Sequence, residues 1–345
     1  MKKKYLDTAV IILNNKIYLT EFFKIFYKYN LKNIIFIINH KKNIFDLNSN
    51  KPFNFNLTFF EKKNTENTFQ VLKKYKKKLP NFFLLVNSSA FLNENLFDLF
   101  SKFYKNFEKN LIIKKKVNNR IINTDFSIIN KNNLYDYSLI NHKKYLKNKY
   151  RSILSEKEFV QLDRNKKINN KINSFFLKIY SKNILLDRDG VINVDKGYVG
   201  LKKNFVWQKG ALKAIKYLNK KNYNIFVITN QSGIARGYFS EKAVINLHTY
   251  IKEQLQRRKC YINKIYYSPF HIDGIINKYS YSSNCRKPGV GLFKILTQEW
   301  NILFNRNIYM IGDQKSDIEF AKNCGIKGLL FKSGRLDIFL KKNNI

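Results

Sequence analysis

The sequence predicts an α/β protein of two domains, residues 1–180 and 181–345, each a mainly parallel sheet flanked by helices. Three observations carry this reading. Short continuous apolar runs alternate with amphipathic stretches, as buried parallel strands and their covering helices do. The 345 residues exceed what one core usually organises, and only 13 Gly and 4 Pro among them argue against disorder. In the second half, three apolar runs stop at polar residues: Asp187, Thr229 and Asp313. Open parallel sheets bind their ligands at the carboxyl ends of strands.

The elements follow in order. Ala9 to Leu13 is an apolar run. Leu19 to Tyr29 is helical, with Phe22, Phe23, Phe26 and Tyr27 on one side. Asn33 to Ile38 reads as a buried strand, Phe69 to Tyr75 as a helix, Phe82 to Val86 as a strand and Leu96 to Phe107 as a helix. Lys143 to Asn173 is polar and lysine-rich, and is expected to be a helical or loosely packed connector. The second half then opens with a short strand, Ile184 to Leu186. Ala211 to Asn219 is a helix, Ile225 to Ile228 a strand, Glu241 to Arg257 a helix, Ile308 to Ile311 a strand and Ser316 to Asn323 a helix.

Composition narrows the function classes. The three cysteines, Cys260, Cys285 and Cys324, make no disulfide framework and point to a reducing compartment. Neither a secretory h-region nor a membrane-spanning run is evident, so a soluble, cytoplasmic protein is expected. The net charge of +41 raises a polyanion-binding alternative, which predicts strongly salt-dependent binding to DNA or RNA. A nucleic-acid binder concentrates its cations in a patch, however, and here the excess is divided almost evenly between the halves. Lys, Asn, Ile, Phe and Tyr are abundant throughout, as an AT-rich genome produces. No specific nucleic-acid partner is expected.

Four clusters carry chemistry. In Leu186-Asp187-Arg188-Asp189-Gly190-Val191-Ile192-Asn193, two carboxylates two residues apart flank a strand-to-turn junction. One can serve as nucleophile and the other as general acid and base. The competing reading is an ordinary Asp-Gly turn. In Thr229-Asn230-Gln231-Ser232-Gly233-Ile234-Ala235-Arg236-Gly237, a strand-end hydroxyl and backbone N–H groups can meet phosphate oxygens, or the run can be a plain helix-capping loop. Cys285-Arg286-Lys287-Pro288 sets two cations before a turn, as a phosphate clamp or a solvated basic turn. In Gly312-Asp313-Gln314-Lys315-Ser316-Asp317, Asp313 and Asp317 flank a helix start, where they can hold magnesium or cap the helix.

Together, in this order, the four clusters resemble the motifs of the haloacid dehalogenase superfamily of phosphatases. The stretch from Ile184 to about Leu330 is most similar to the D-glycero-D-manno-heptose 1,7-bisphosphate 7-phosphatase branch, with histidinol phosphatases as neighbours. The resemblance implies that Asp187 attacks phosphorus and that Asp189 protonates the leaving oxygen. Thr229 and Lys287 then neutralise the phosphoryl group. Magnesium is held by Asp187, the Asp189 carbonyl and Asp313, with Asp317 in support. It further implies phosphate contacts from Arg286 and Arg236, and a site lined by Asn230, Gln231 and Ser232. The expected substrate is a small phosphorylated sugar. Histidinol phosphate and a non-catalytic sugar-phosphate scaffold remain alternatives. Many members of the branch hold a structural zinc on a loop. Here only Cys285 matches a ligand position and His271 is one place off, so no zinc is expected. The loop is expected to be held by packing of Tyr266, Tyr267 and Phe270.

Residues 6–130 are similar to sugar-1-phosphate nucleotidyltransferases. That resemblance implies a Gly-rich phosphate loop after the first strand, where Asn14-Asn15-Lys16-Ile17 stands. It also implies a metal-binding aspartate where Asn87-Ser88-Ser89 follows a strand, and a second carboxylate where Lys178 aligns. The expectation is a degenerate, inactive domain.

Overall fold

The first unit of the computed structural model, Met1–Phe175, grows from apolar strands such as Thr8–Ile12 and Asn33–Ile38, buried along almost their whole length. The residues described in the whole chain are 6–13, 19–39, 55–63, 65–88, 90–92, 96–104, 110–117, 120–134, 150–155, 159–161, 182–300, 302 and 308–345. In this unit β1 is Thr8–Ile12, α1 Leu19–Lys28, β2 Asn33–Ile38, β3 Asn56–Glu61, α2 Thr68–Lys74, β4 Phe82–Asn87 and β5 Ala90–Leu92. Then come α3 Leu96–Tyr104, β6 Asn110–Val117, β7 Arg120–Asn130, β8 Tyr150–Ser155 and β9 Phe159–Gln161.

Seven strands form one sheet in the order β3-β2-β1-β4-β7-β6-β8. β1 to β4 run parallel, β7 is antiparallel to β4 and β6, and β8 is parallel to β6. Helix α1 lays Leu19, Phe22, Phe23 and Phe26 against the sheet, where Phe23 meets Phe36 edge-on. Helix α2 is opened by a capping box between Asn67 and Gln70.

The connector expectation needs correction. Lys143 to Asn173 contains β8, which extends the sheet beside β6, and β9, which pairs with β5. Strand pairing overrides the polar composition there: backbone hydrogen bonds to a neighbour suffice to recruit an edge strand. Asn14 to Ile17, Ser89 and Lys178, and the expected join near residue 180, lie outside the described residues.

The second unit, Phe176–Ile345, holds β10 Asn183–Leu186, α4 Ala211–Lys220, β11 Asn224–Asn230, α5 Glu241–Arg257 and β12 Lys264–Ser268. It continues with α6 Gly291–Trp300, β13 Ile308–Gly312, α7 Lys315–Asn323, β14 Lys327–Leu330 and α8 Leu336–Lys342. The order is β12-β11-β10-β13-β14, with every pair parallel. β10 is therefore central, and the strand order reverses across it, which opens a crevice at the carboxyl edge.

All four residues of β10 are buried. The core beneath includes Ile184, Leu186, Ile215, Leu218, Val227, Leu247, Ile251 and Ile311. At the opposite edge, buried amides tie the strand starts. Asn263 donates to Asn224 at 3.1 Å and Asn224 donates to Asn183 at 3.2 Å. Among the described residues no helix is long and apolar enough to cross a membrane. The three cysteines are free thiols.

Candidate active site

Asp187 follows directly on the buried end of β10. Its N–H donates to the Ile311 carbonyl at 2.8 Å, which carries the chain one residue past the strand and aims the carboxylate over the sheet edge. Gly190 then turns the chain at φ +77°, a conformation that L side chains avoid. A Cβ there would also lie 2.2 Å from Asp313 Oδ2, so glycine is required by space as well. Gly312 plays the same part for Asp317, whose carboxylate would meet a Cβ at 2.1 Å.

Three of the four predicted clusters converge on an acidic centre. Carboxylate oxygens of Asp187, Asp313 and Asp317 lie within 4.8 Å of one another. Lys287 Nζ stands 3.0 Å from Asp187 Oδ1 and also donates to Asp317 Oδ1. Burial pushes the Asp187 carboxyl up to about 7 against the pull of Lys287, with Asp317 and Asp189 adding to the rise. Burial works against the Lys287 ammonium, yet Asp187 and Asp317 outweigh it and its pKa is raised. Two carboxylates share one ammonium, and a cation is wanted. Burial likewise raises Asp313, and its Oδ1 is buried with no hydrogen-bond partner. This donor set of hard carboxylate oxygens, with one oxygen left uncommitted, fits magnesium.

Asp317 belongs to the same carboxylate group, where it was expected in support. Its side chain is fully buried, Oδ1 accepts from Lys287 and Oδ2 accepts from the Gln314 N–H at 3.0 Å. It holds Lys287 and caps α7 as well. The Asp189 carboxylate lines the cleft beside this centre. It accepts from Arg188, from Asn193 Nδ2 at 2.8 Å and from Gln231 Nε2 at 2.8 Å.

A cleft of about 420 Å³ opens above the centre. Asp187, Asp189, Thr229, Asn230, Gln231, Ser232, Arg286, Lys287 and Asp313 of the predicted set line it. Thr229 is buried, and its hydroxyl accepts from Gln231 Nε2 at 3.0 Å. The Asn230 side chain is not turned to a phosphate. Its Nδ2 donates to the Lys287 carbonyl at 3.1 Å, and its Oδ1 accepts from the Lys287 N–H at 2.9 Å. It fixes the backbone that carries Lys287, beside a cis Lys287–Pro288 bond.

Arg236 is the clearest departure from the sequence reading. It is not among the residues lining the cleft, and its Nη2 donates to His271 at 3.1 Å and lies 3.6 Å from Asp273. The imidazole of His271 and the carboxylate of Asp273, in the loop after β12, hold it there, which spacing did not disclose. Arg286 lines the cleft, and its pKa is lowered by burial and by Arg236 nearby.

The loop that follows β12 is organised by rings. Phe270 packs on Tyr281 at 4.6 Å, and the hydroxyls of Tyr267 and Tyr279 both donate to Glu241. Tyr266, expected in this packing, is used elsewhere. Its hydroxyl accepts from Trp300 and donates to Glu299.

The sequence reading assigned no role to several residues here. Asp195, Tyr198, Phe239, Gln314 and Ser316 also line the cleft. Tyr198, at φ 51°, meets Tyr238 edge-on at 4.7 Å. The Phe239 ring lies between Gly200 and Gly233, within 2.3 and 2.4 Å of where their Cβ atoms would be.

Comparison with known proteins agrees with the geometry. A family model described as HAD-hydrolase-like matches residues 284–338. The D-glycero-beta-D-manno-heptose-1,7-bisphosphate 7-phosphatase of Rhodopseudomonas palustris is 40% identical over 157 residues, which cover 46% of this chain and 87% of that protein. The D,D-heptose 1,7-bisphosphate phosphatase of B. bronchiseptica, solved with magnesium and phosphate, is 26% identical at a TM-score of 0.41, covering 47% of this chain and 86% of that one. HddC from Yersinia pseudotuberculosis, complexed with GMP-PN, is 12% identical at a TM-score of 0.41, covering 49% and 100%. By its similarity to the first of these, over most of that protein's length, the chain belongs to the heptose-1,7-bisphosphate 7-phosphatase family.

Proposed function

We propose that residues 181–345 are a magnesium-dependent phosphatase that removes the 7-phosphate of D-glycero-D-manno-heptose 1,7-bisphosphate through an aspartyl-phosphate. The observation that carries this reading is the buried convergence of Asp187, Asp313 and Lys287 at the floor of the cleft. A carboxylate of Asp187 attacks phosphorus as the P–O bond to the sugar breaks, and Asp189 gives a proton to the departing oxygen. In the second step water attacks the phosphorus, gives its proton to Asp189, and the acyl-phosphate bond breaks to restore Asp187. Lys287 and the Thr229 hydroxyl neutralise charge on the equatorial oxygens, which is where phosphoryl transfer needs cations and donors. Magnesium, held by Asp187 and Asp313 with the Asp189 carbonyl, would supply further positive charge beside the transferring group.

Phosphate release from both anomers of heptose 1,7-bisphosphate, with histidinol phosphate alongside, tests the proposal. Magnesium-dependent activity on a heptose anomer, abolished by Asp187→Asn, is expected. Turnover of histidinol phosphate alone would discard the sugar and keep the chemistry. Residues 1–180 we read as a nucleotidyltransferase-like domain without transferase activity. Asn87, at the end of β4, stands where that chemistry calls for a carboxylate. Nucleotidyl transfer from any nucleoside triphosphate to heptose 1-phosphate by the intact chain would refute this.

A further inference from the structure

Between the two catalytic aspartates stands Arg188, and its side chain is fully buried. A guanidinium so placed must satisfy its donors on protein atoms, because an unpaired buried charge is costly. Its partners are few and specific. Nη2 donates to Asp189 Oδ2 at 2.9 Å and Oδ1 at 3.1 Å, and Nε reaches Oδ1 at 3.3 Å. The same Nη2 donates to Gln231 Oε1 at 2.8 Å and to the Val199 carbonyl. Nη1 donates to His248 Nε2 at 3.1 Å, on α5. His248 is buried and its pKa is lowered well below the ordinary value, first by burial and then by Arg188, so it stays a neutral acceptor.

We infer that Arg188 is a positioning residue for Asp189, holding its carboxylate to take the proton of the water that hydrolyses the aspartyl-phosphate. This inference rests on the phosphatase reading above. Every contact to the Asp189 carboxylate, from Arg188, Gln231 and Asn193, is a donor. These donors fix the orientation of the carboxylate that receives the proton in the second step. Through Val199 the same guanidinium ties that carboxylate to the loop that carries Tyr198 into the cleft wall. In the step concerned, the water oxygen bonds to phosphorus, its proton moves to Asp189, and the electron pair of the breaking P–O bond returns to Asp187.

The test separates the two chemical steps with 2,4-dinitrophenyl phosphate, whose phenolate leaves without a proton. Rapid mixing with magnesium reads the first turnover as a burst of phenolate, and the steady state reads hydrolysis of the intermediate. For Arg188→Met we expect a burst rate within about threefold of wild type and a steady-state rate lower by about 10²-fold, the lower end of general-base contributions. Phosphorylated protein should accumulate in acid-quenched samples. Arg188→Lys, which keeps a buried cation but cannot span the four partners, should show the same split at smaller size, and serves if the Met variant does not fold. A merely structural role lowers burst and steady state by one common factor, and that result in the folded variant overturns the inference. A wild type that shows neither burst nor turnover overturns the phosphatase reading itself, and this inference with it.

Discussion

Replacing Lys287 by Met removes the one ammonium that faces two buried carboxylates. Side-chain exposures of Lys287, Asp187 and Asp317 are 2%, 10% and 0%, so water can do little to replace it. Breaking a buried ion pair from one side costs about 3–5 kcal/mol. Without metal, Lys287→Met should lose about that much at pH 8. The sign of the pH dependence follows from Asp187. Its folded pKa of about 7 lies above the unfolded value near 3.8, so its term is fully present below the unfolded pKa and is lost as pH rises through about 7. Removing Lys287 raises that folded value further, so the deficit of the variant should open as pH rises and shrink toward pH 5. Urea unfolding in a chelator, followed by tryptophan fluorescence, measures it. Both tryptophans, Trp207 and Trp300, belong to the second unit, so the signal reports that unit alone. A Lys287→Met variant within about 0.5 kcal/mol of wild type at pH 8, the range of ordinary surface changes, would refute the shared-ammonium argument. The cycle with Asp317→Asn adds a check: coupling of about 0.5–3 kcal/mol is expected between contacting residues.

Magnesium should raise the melting temperature of the wild type more at pH 8 than at pH 5.5, because the cation displaces the proton that the raised Asp187 carboxyl retains; equal shifts would argue that the ion binds elsewhere. Asn230→Ala removes both amide contacts to the Lys287 backbone. It should lower kcat/KM by about 10-fold or more, each buried hydrogen bond contributing about 1 kcal/mol, and steady-state kinetics will read it. His248 is held below its ordinary pKa, so its term is present above about 6.5 and is lost as pH falls through its lowered value. His248→Gln should therefore flatten the decline in stability between pH 6.5 and 5, as urea unfolding at both values will show.

Much of the site was legible because its parts lie at strand ends. Asp187, Thr229 and Asp313 each follow an apolar run, and parallel neighbours bring such ends together whatever the loops between them do. Lys287 was legible from its motif. What sequence could not disclose is which way a side chain turns once it arrives. Asn230 faces a backbone 57 residues away, and Asp317 gives both oxygens to Lys287 and a helix start. Arg236 found His271 and Asp273, partners that no periodicity announces. In the first unit the continuous apolar runs of β1, β2 and β4 read directly, while β3 and β7 went unread. So did β6, with Lys114, Lys115 and Lys116 in sequence, and the edge strand β8, since their place depends on the neighbours they pair with.

The Phe239 ring has a wider consequence. It is packed so closely against both Gly200 and Gly233 that neither position has room for a Cβ. The loop of Gly200 carries Tyr198, and that of Gly233 carries Gln231 and Ser232. The three positions therefore form a single heritable unit. A methyl group at either glycine would demand a smaller residue at 239. The wall of the cleft in this chain thus leans on a residue that carries no charge.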